Sequence, residues 1–161
     1  MVLVAAAGII QAQKNMHKVF GTDSKIITGT SNVWVYEIDQ IPVMSVDQVQ
    51  GENYVYDYRI IKTVVHKKKD AGLLIFGIMD TTQYLYGLSK KCPFMGKYAV
   101  QFKKGNKTIT MVISSEPCDK VIIFCPGSII DKKHIDLKDK SSIVACITNL
   151  LNPVVKVEEK K

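Results

Sequence analysis

The sequence predicts an α+β fold, a single domain with a central mixed or mainly antiparallel β-sheet flanked by N-terminal and C-terminal helices. Three observations lead there. Short runs of β-branched and aromatic residues recur between turn residues, the strongest helical periodicity lies towards the two ends, and no internal repeat or interdomain linker interrupts the 161 residues. With 47% hydrophobic and 23% charged residues the composition is that of an ordinary globular domain, long enough for one real core and cramped for two. The domain is expected over residues 1–153, with 154–161 as a charged C-terminal tail.

From Val4 to Phe20, Ala5, Ile9, Ala12, Met16 and Val19 repeat at helical spacing, with Gly21 placed to end the helix. Its polar face has only Lys14, His17 and Lys18 as cations, so it is expected to cover the sheet rather than lie on a membrane. The opening MVLVAAAGII has no basic n-region and its apolar run stops at Gln11, which predicts neither a signal peptide nor a membrane anchor. Lys25 to Thr28 and Val33 to Ile38 are expected to pair as a hairpin through a turn at 29–32, with Trp34, Tyr36 and Ile38 on one face. Pro42 ends the second strand, and Ser45 with Gln48 resembles a capping box for a short helix stopped by Gly51. Asn53 to His66 alternates Tyr54, Tyr56 and Tyr58 with Val55, Asp57 and Arg59, which predicts a long strand. A turn at 67–71 would return it into the apolar run Leu73 to Met79, read as a buried strand.

Residues 81–92 stay open between helix and strand, because Asp80, Thr81 and Thr82 suit a cap while Gly87, Pro93 and Gly96 interrupt any long helix. Tyr98 to Phe102 and Thr108 to Ile113 flank a turn at 103–107 whose Gly105 and Asn106 accept positive φ, a strong hairpin signal. Val121 to Phe124 is a short strand, residues 132–140 read as a polar linker, and a last helix runs from Ser141 or Ser142 to Leu151 before Asn152 and Pro153.

The formal net charge is +7, and Arg59 is the only arginine. Lysine meets phosphate as a point charge and lacks the guanidinium fork, so sequence-specific nucleic-acid readout is not expected, whereas attraction to an acidic surface is. The charge is concentrated. After Asp80 no carboxylate occurs before Glu116, while Lys90, Lys91, Lys97, Lys103, Lys104 and Lys107 all fall between. Tyr84, Tyr86 and Phe94 are interleaved with them. A binding face is expected here, with Lys90, Lys91, Lys97, Lys103 and Lys104 steering an acidic partner and Tyr84, Tyr86 and Phe94 making contact. The competing reading is a set of solvated lysines that blunt sheet edges.

Catalysis is not expected. His17, His66 and His134 lie far apart with no carboxylate at relay or ligand spacing, and no nucleophile elbow, phosphate loop or dinucleotide fingerprint occurs. Cys92 follows two lysines but has no obvious base. Cys92, Cys118, Cys125 and Cys146 lack zinc-site spacing and are read as free thiols of a cytoplasmic protein, with two disulfides of a secreted chain as the alternative. No metal, cofactor or membrane partner is expected.

Several landmarks resemble the gelsolin/villin/severin actin-binding domain, in that family's order, over about residues 30–131. Val33 to Glu37 and Ile41 to Val43 are similar to its opening strands, and Gly51 to Tyr54 to its Gly-Asp-x-Tyr. Leu73 to Asp80 stands where the family has an apolar strand leading into its main helix. Glu116-Pro117, Ile122 to Phe124 and Pro126 to Ile130 resemble its closing elements. The resemblance implies actin-filament binding by the segment after Asp80. Segment 81–102 has no Asp or Glu, and Glu52 stands in place of the family's aspartate, so the family's calcium site is not expected. The leading expectation is therefore a non-enzymatic, intracellular protein-binding domain. A self-assembling structural subunit of a viral or filamentous particle and a non-specific nucleic-acid binder are the alternatives.

Overall fold

The structure, a computed structural model, describes residues 19–43, 53–86, 90–114, 117–125 and 132–153. Within them the strands are β1 (Asn32–Ile38), β2 (Tyr54–Val55), β3 (Tyr58–Lys67), β4 (Tyr84–Leu85), β5 (Gly96–Lys104), β6 (Lys107–Ser114), β7 (Lys120–Phe124) and β8 (Lys132–Leu137). They form one sheet in the order β2-β3-β1-β5-β6-β7-β8-β4, and every described pairing is antiparallel. Helices α1 (Ser24–Gly29), α2 (Gly72–Met79) and α3 (Ser142–Leu151) pack on one face. The α+β class and the antiparallel sheet therefore stand.

The alternation of each strand sorts its side chains into two cores. Val35, Val100, Met111 and Ile123 lie opposite one another across β1, β5, β6 and β7, and meet Ile27, Leu74, Ile78, Ile143 and Ile147 from the helices. The next row, Tyr36, Ala99, Val112 and Ile122, points the other way and is covered by Val55 and Tyr58. That cover exists because the chain turns sharply between β2 and β3. Tyr56 adopts φ 58° there, and its ring stacks on Phe124 at 3.3 Å between centroids. Glu37 faces Lys62 but Ile38 faces Ile60, so Ile61 is the extra residue of a β-bulge that bends β3 towards this corner.

Several local expectations are corrected. Lys25 to Thr28 belongs to helix α1, not to a strand, because tertiary burial of the adjacent Ile26 and Ile27 overrides β-branched propensity. Leu73 to Met79 is helix α2. A short apolar run has no period of its own, and here Leu74 and Ile78, four residues apart, supply the buried contacts. Gly77 between them faces the start of α3, near Ser142 and Ile143. The strand expected over 53–66 is interrupted at Tyr56 and Asp57. Residues 81–85 form a 3-10 turn, Thr81–Gln83, and then β4, while most of the expected linker at 132–140 is β8, whose Ile135 and Leu137 enter the core. The β5–β6 hairpin is as expected, with Gly105 at φ 60°, and Ser141 caps α3 by accepting from Ile143 N at 3.3 Å. Most of the predicted first helix, the capping box at 45–51 and the tail lie outside the described residues.

Asp80 joins α2 to β4 and, through Gln83, to α3. Its carboxylate accepts from Thr82 N and Thr82 Oγ1, both at 2.9 Å, and from Gln83 Nε2 at 3.2 Å, while Gln83 Oε1 accepts from Ser141 Oγ and Ser142 N. Burial pushes the Asp80 carboxyl up, but the bonds from Thr82 and Gln83 and the charge of Lys138 outweigh it and hold it below its ordinary value. A carboxyl lowered in the folded state stabilises above its unfolded pKa, and that contribution is lost as pH falls through the folded one. Asp80→Ala is expected to cost about 1 kcal/mol at neutral pH. In thermal melts across the acid range, the difference in Tm between variant and parent should close as pH falls.

Candidate functional site

Antiparallel pairing decides where the lysines go. Asn32 at the start of β1 faces Lys67 at the end of β3, and Lys104 at the end of β5 faces Lys107 at the start of β6. Since Val33 also faces Phe102, these strand ends lie together. They carry Lys67, Lys103, Lys104 and Lys107, and the turn after β3 adds Lys68 and Lys69. Helix α1 completes the group, because Lys104 Nζ donates to Lys25 O at 3.4 Å and Lys68 Nζ donates to Thr28 O. Thr28 lies in the last turn of the helix, so the Lys68 ammonium sits where its carbonyls carry partial negative charge. Lys25, Lys67, Lys68, Lys69, Lys103, Lys104 and Lys107 are all exposed, and among the described residues none of them is ion-paired. Lys103 Nζ lies 4.5 Å over the Trp34 ring. Asp70 is an exposed carboxylate within the same turn.

The face expected over 81–107 is thereby divided. Lys97 and Lys104 are seven residues apart along β5, a separation of about 23 Å at strand rise. Lys103 and Lys104 belong to the lysine end; Lys90, Lys91 and Lys97 lie towards the other. Lys90 is committed to structure, with its N–H on Asp136 and its ammonium on Asp139. Tyr84 is withdrawn from contact altogether: it is 3% exposed, sits edge-on to Phe20 and donates to Ile78 O at 2.6 Å, and burial drives its phenol pKa well up. Phe94 is half-buried against the second core, and Tyr86 remains exposed. Sequence reasoning missed Lys25 and Lys67 to Lys69. The three consecutive lysines were the available signal, masked by their reading as a hairpin turn.

The far end is held by sulfur as well as by hydrogen bonds. Cys92 and Cys118 form a disulfide across 26 residues, which corrects the reading of all four cysteines as free thiols. Lys120 Nζ donates to Lys90 O and Cys92 O, both at 2.8 Å. Beside this end a cleft of about 370 Å³ opens between α3 and β5, lined by Lys97, Lys140 and the buried Asp119, whose Oδ1 has no hydrogen-bond partner among the described residues. Cys125 and Cys146 remain thiols. Burial, with Asp23 adding, pushes Cys125 up to about 11, and burial raises Cys146, so both are protonated at neutral pH and neither is an activated nucleophile. Among the described residues no group of three or more His, Cys, Asp or Glu is placed to hold a metal.

No protein-family model matches the sequence, and no curated protein matches it. Among solved structures, a provisionally named lipoprotein from Clostridium perfringens is similar, with a TM-score of 0.50 and 10% identity over 85% of this chain and 96% of that one. At that identity the likeness is one of fold.

Closing a loop of this length restricts the unfolded chain by about 3 kcal/mol. Cys92→Ser, or reduction of the bond, is expected to lower Tm by roughly 10 °C in calorimetry while leaving the far-UV spectrum of the folded protein unchanged.

Proposed function

We propose that the chain is a non-enzymatic binding domain that docks a negatively charged macromolecular surface on the lysine end of its sheet. The observation that carries this reading is the convergence of seven exposed lysines, brought from three separate stretches of sequence, with Asp70 an exposed carboxylate among them. Lysine clusters of this kind raise association rates and tolerate varied acidic partners, because a point charge imposes little geometry. An actin-like filament is one such partner, supported by the order of motifs over 30–131. Two of the elements those motifs implied, the strand at 73–79 and a long helix after Asp80, are not adopted, since 73–79 is helical and 84–85 and 96–102 are strand. The Cys92–Cys118 bond favours an oxidising compartment over the cytoplasm, which weighs against a cytoskeletal filament as that partner.

One observation favours self-assembly as a second reading. β2 pairs only with Tyr58 and Arg59, so among the described residues β3 has no neighbouring strand beyond it from Ile61 to Lys67. Ile61 and Val65, 61% and 52% exposed, lie on that edge, where a second copy would add its own strand.

Replacing Lys69, Lys103 and Lys107 together by serine is expected to lower the salt at which the protein leaves an immobilised polyglutamate column, whereas Lys91→Ser with Lys97→Ser should change it little. Equal shifts from both variants would refute a localised site. Light scattering of the parent protein alone decides the second reading: a monomer across the micromolar range excludes it.

A further inference from the structure

Helix α2 is apolar on every side, GLLIFGIM, yet it lies at the surface. Leu74, Gly77 and Ile78 face the core, while Leu73 and Phe76, one turn apart on the opposite face, are 79% and 73% exposed. These two side chains protrude beside the lysine turn. Ala71 N–H donates to Lys67 O at 3.2 Å and Ile75 N–H to Ala71 O at 3.0 Å, so the first turn of α2 is fastened to the end of β3 with Lys67, Lys68 and Lys69 exposed around it. Asp70 offsets part of that charge and leaves the turn net positive.

We infer that α2 and the lysine turn form a docking site for an anionic lipid surface, with Leu73 and Phe76 entering the interface and Lys67, Lys68 and Lys69 meeting the headgroups. This rests on the reading of the lysine end as an acidic-surface site and names its partner. Two features favour lipid over an acidic protein. The cations are all lysine, whereas protein interfaces enrich arginine and deplete lysine; headgroups at a fluid surface require no fixed geometry. The apolar anchors project from a convex helix, so a protein partner would need pockets matched to both, while a bilayer accepts them as they stand. No described helix is long and apolar enough to cross a membrane, and α2, with eight residues, would lie within the interface instead.

The test is co-sedimentation of the full chain with phosphatidylcholine vesicles, with and without phosphatidylserine, alongside retention on immobilised polyglutamate. The parent protein should sediment with the phosphatidylserine vesicles only, and salt should release it. Leu73→Ser with Phe76→Ser should weaken partitioning by about tenfold per side chain while leaving polyglutamate retention unchanged. Lys67→Ser with Lys69→Ser should weaken it by about fivefold per lysine and also reduce polyglutamate retention. Because the replaced side chains are exposed, all variants should melt near the parent's Tm. Vesicle binding indifferent to Leu73 and Phe76 overturns the insertion. Polyglutamate retention without vesicle binding overturns the lipid assignment and leaves the lysine-end reading standing, and failure of both overturns the two together.

Discussion

Burial of the central strands on both faces is the constraint that shapes the rest of this protein. Ala99 and Val100 are adjacent in β5 and point to opposite sides, yet neither reaches solvent, and the same holds for Met111, Val112 and Ile113 in β6. A sheet in that position has nowhere to put charge along its middle. The polar groups it does carry are tied together: Tyr36 donates to Gln101 Oε1 at 2.9 Å and Gln101 Nε2 donates to Thr110 Oγ1 at 3.1 Å, a hydrogen-bonded line across three strands. Charge is expelled to the strand ends. Antiparallel pairing then brings the ends of β3, β5 and β6 together and concentrates lysines that are far apart in sequence.

The same constraint explains which parts of the fold could be read in advance. The β5–β6 hairpin was legible because its signal is local, a turn with Gly105 and Asn106 between two β-branched runs. Helix α3 was legible from Ser141 and the spacing of Ile143, Ile147 and Leu151. Helix α2 was not, because a fully apolar segment fits a two-sided buried strand as well as a helix, and only its packing against α3 distinguishes them. Strand β8 was hidden by composition: Lys132, Lys133 and Lys138 make 132–140 look like a linker, although Ile135 and Leu137 alternate into the core.

For the candidate site the division falls in the same place. Lys103, Lys104 and Lys107 share one hairpin and stand out in the sequence. Lys25 and Lys67 to Lys69 join them only through contacts spanning tens of residues, such as Lys104 to Lys25 O. Tyr84 was misread for the converse reason. A tyrosine among lysines suggests a surface contact, but its hydroxyl has a carbonyl partner inside the fold, and that partner is supplied by a helix the sequence did not reveal.

Lys120 bears on the chemistry of the disulfide as well as on its position. Its ammonium grips the carbonyls of Lys90 and Cys92, so the loop that carries Cys92 is moored by bonds that contain no sulfur. Cutting the S–S bond in the folded protein therefore leaves the two thiols as neighbours at high effective concentration, because the mooring rather than chain diffusion sets their encounter rate. The crosslink is in this sense self-mending. It can be opened and closed again as often as the surrounding redox couple dictates, without the chain having to refold to find its partner.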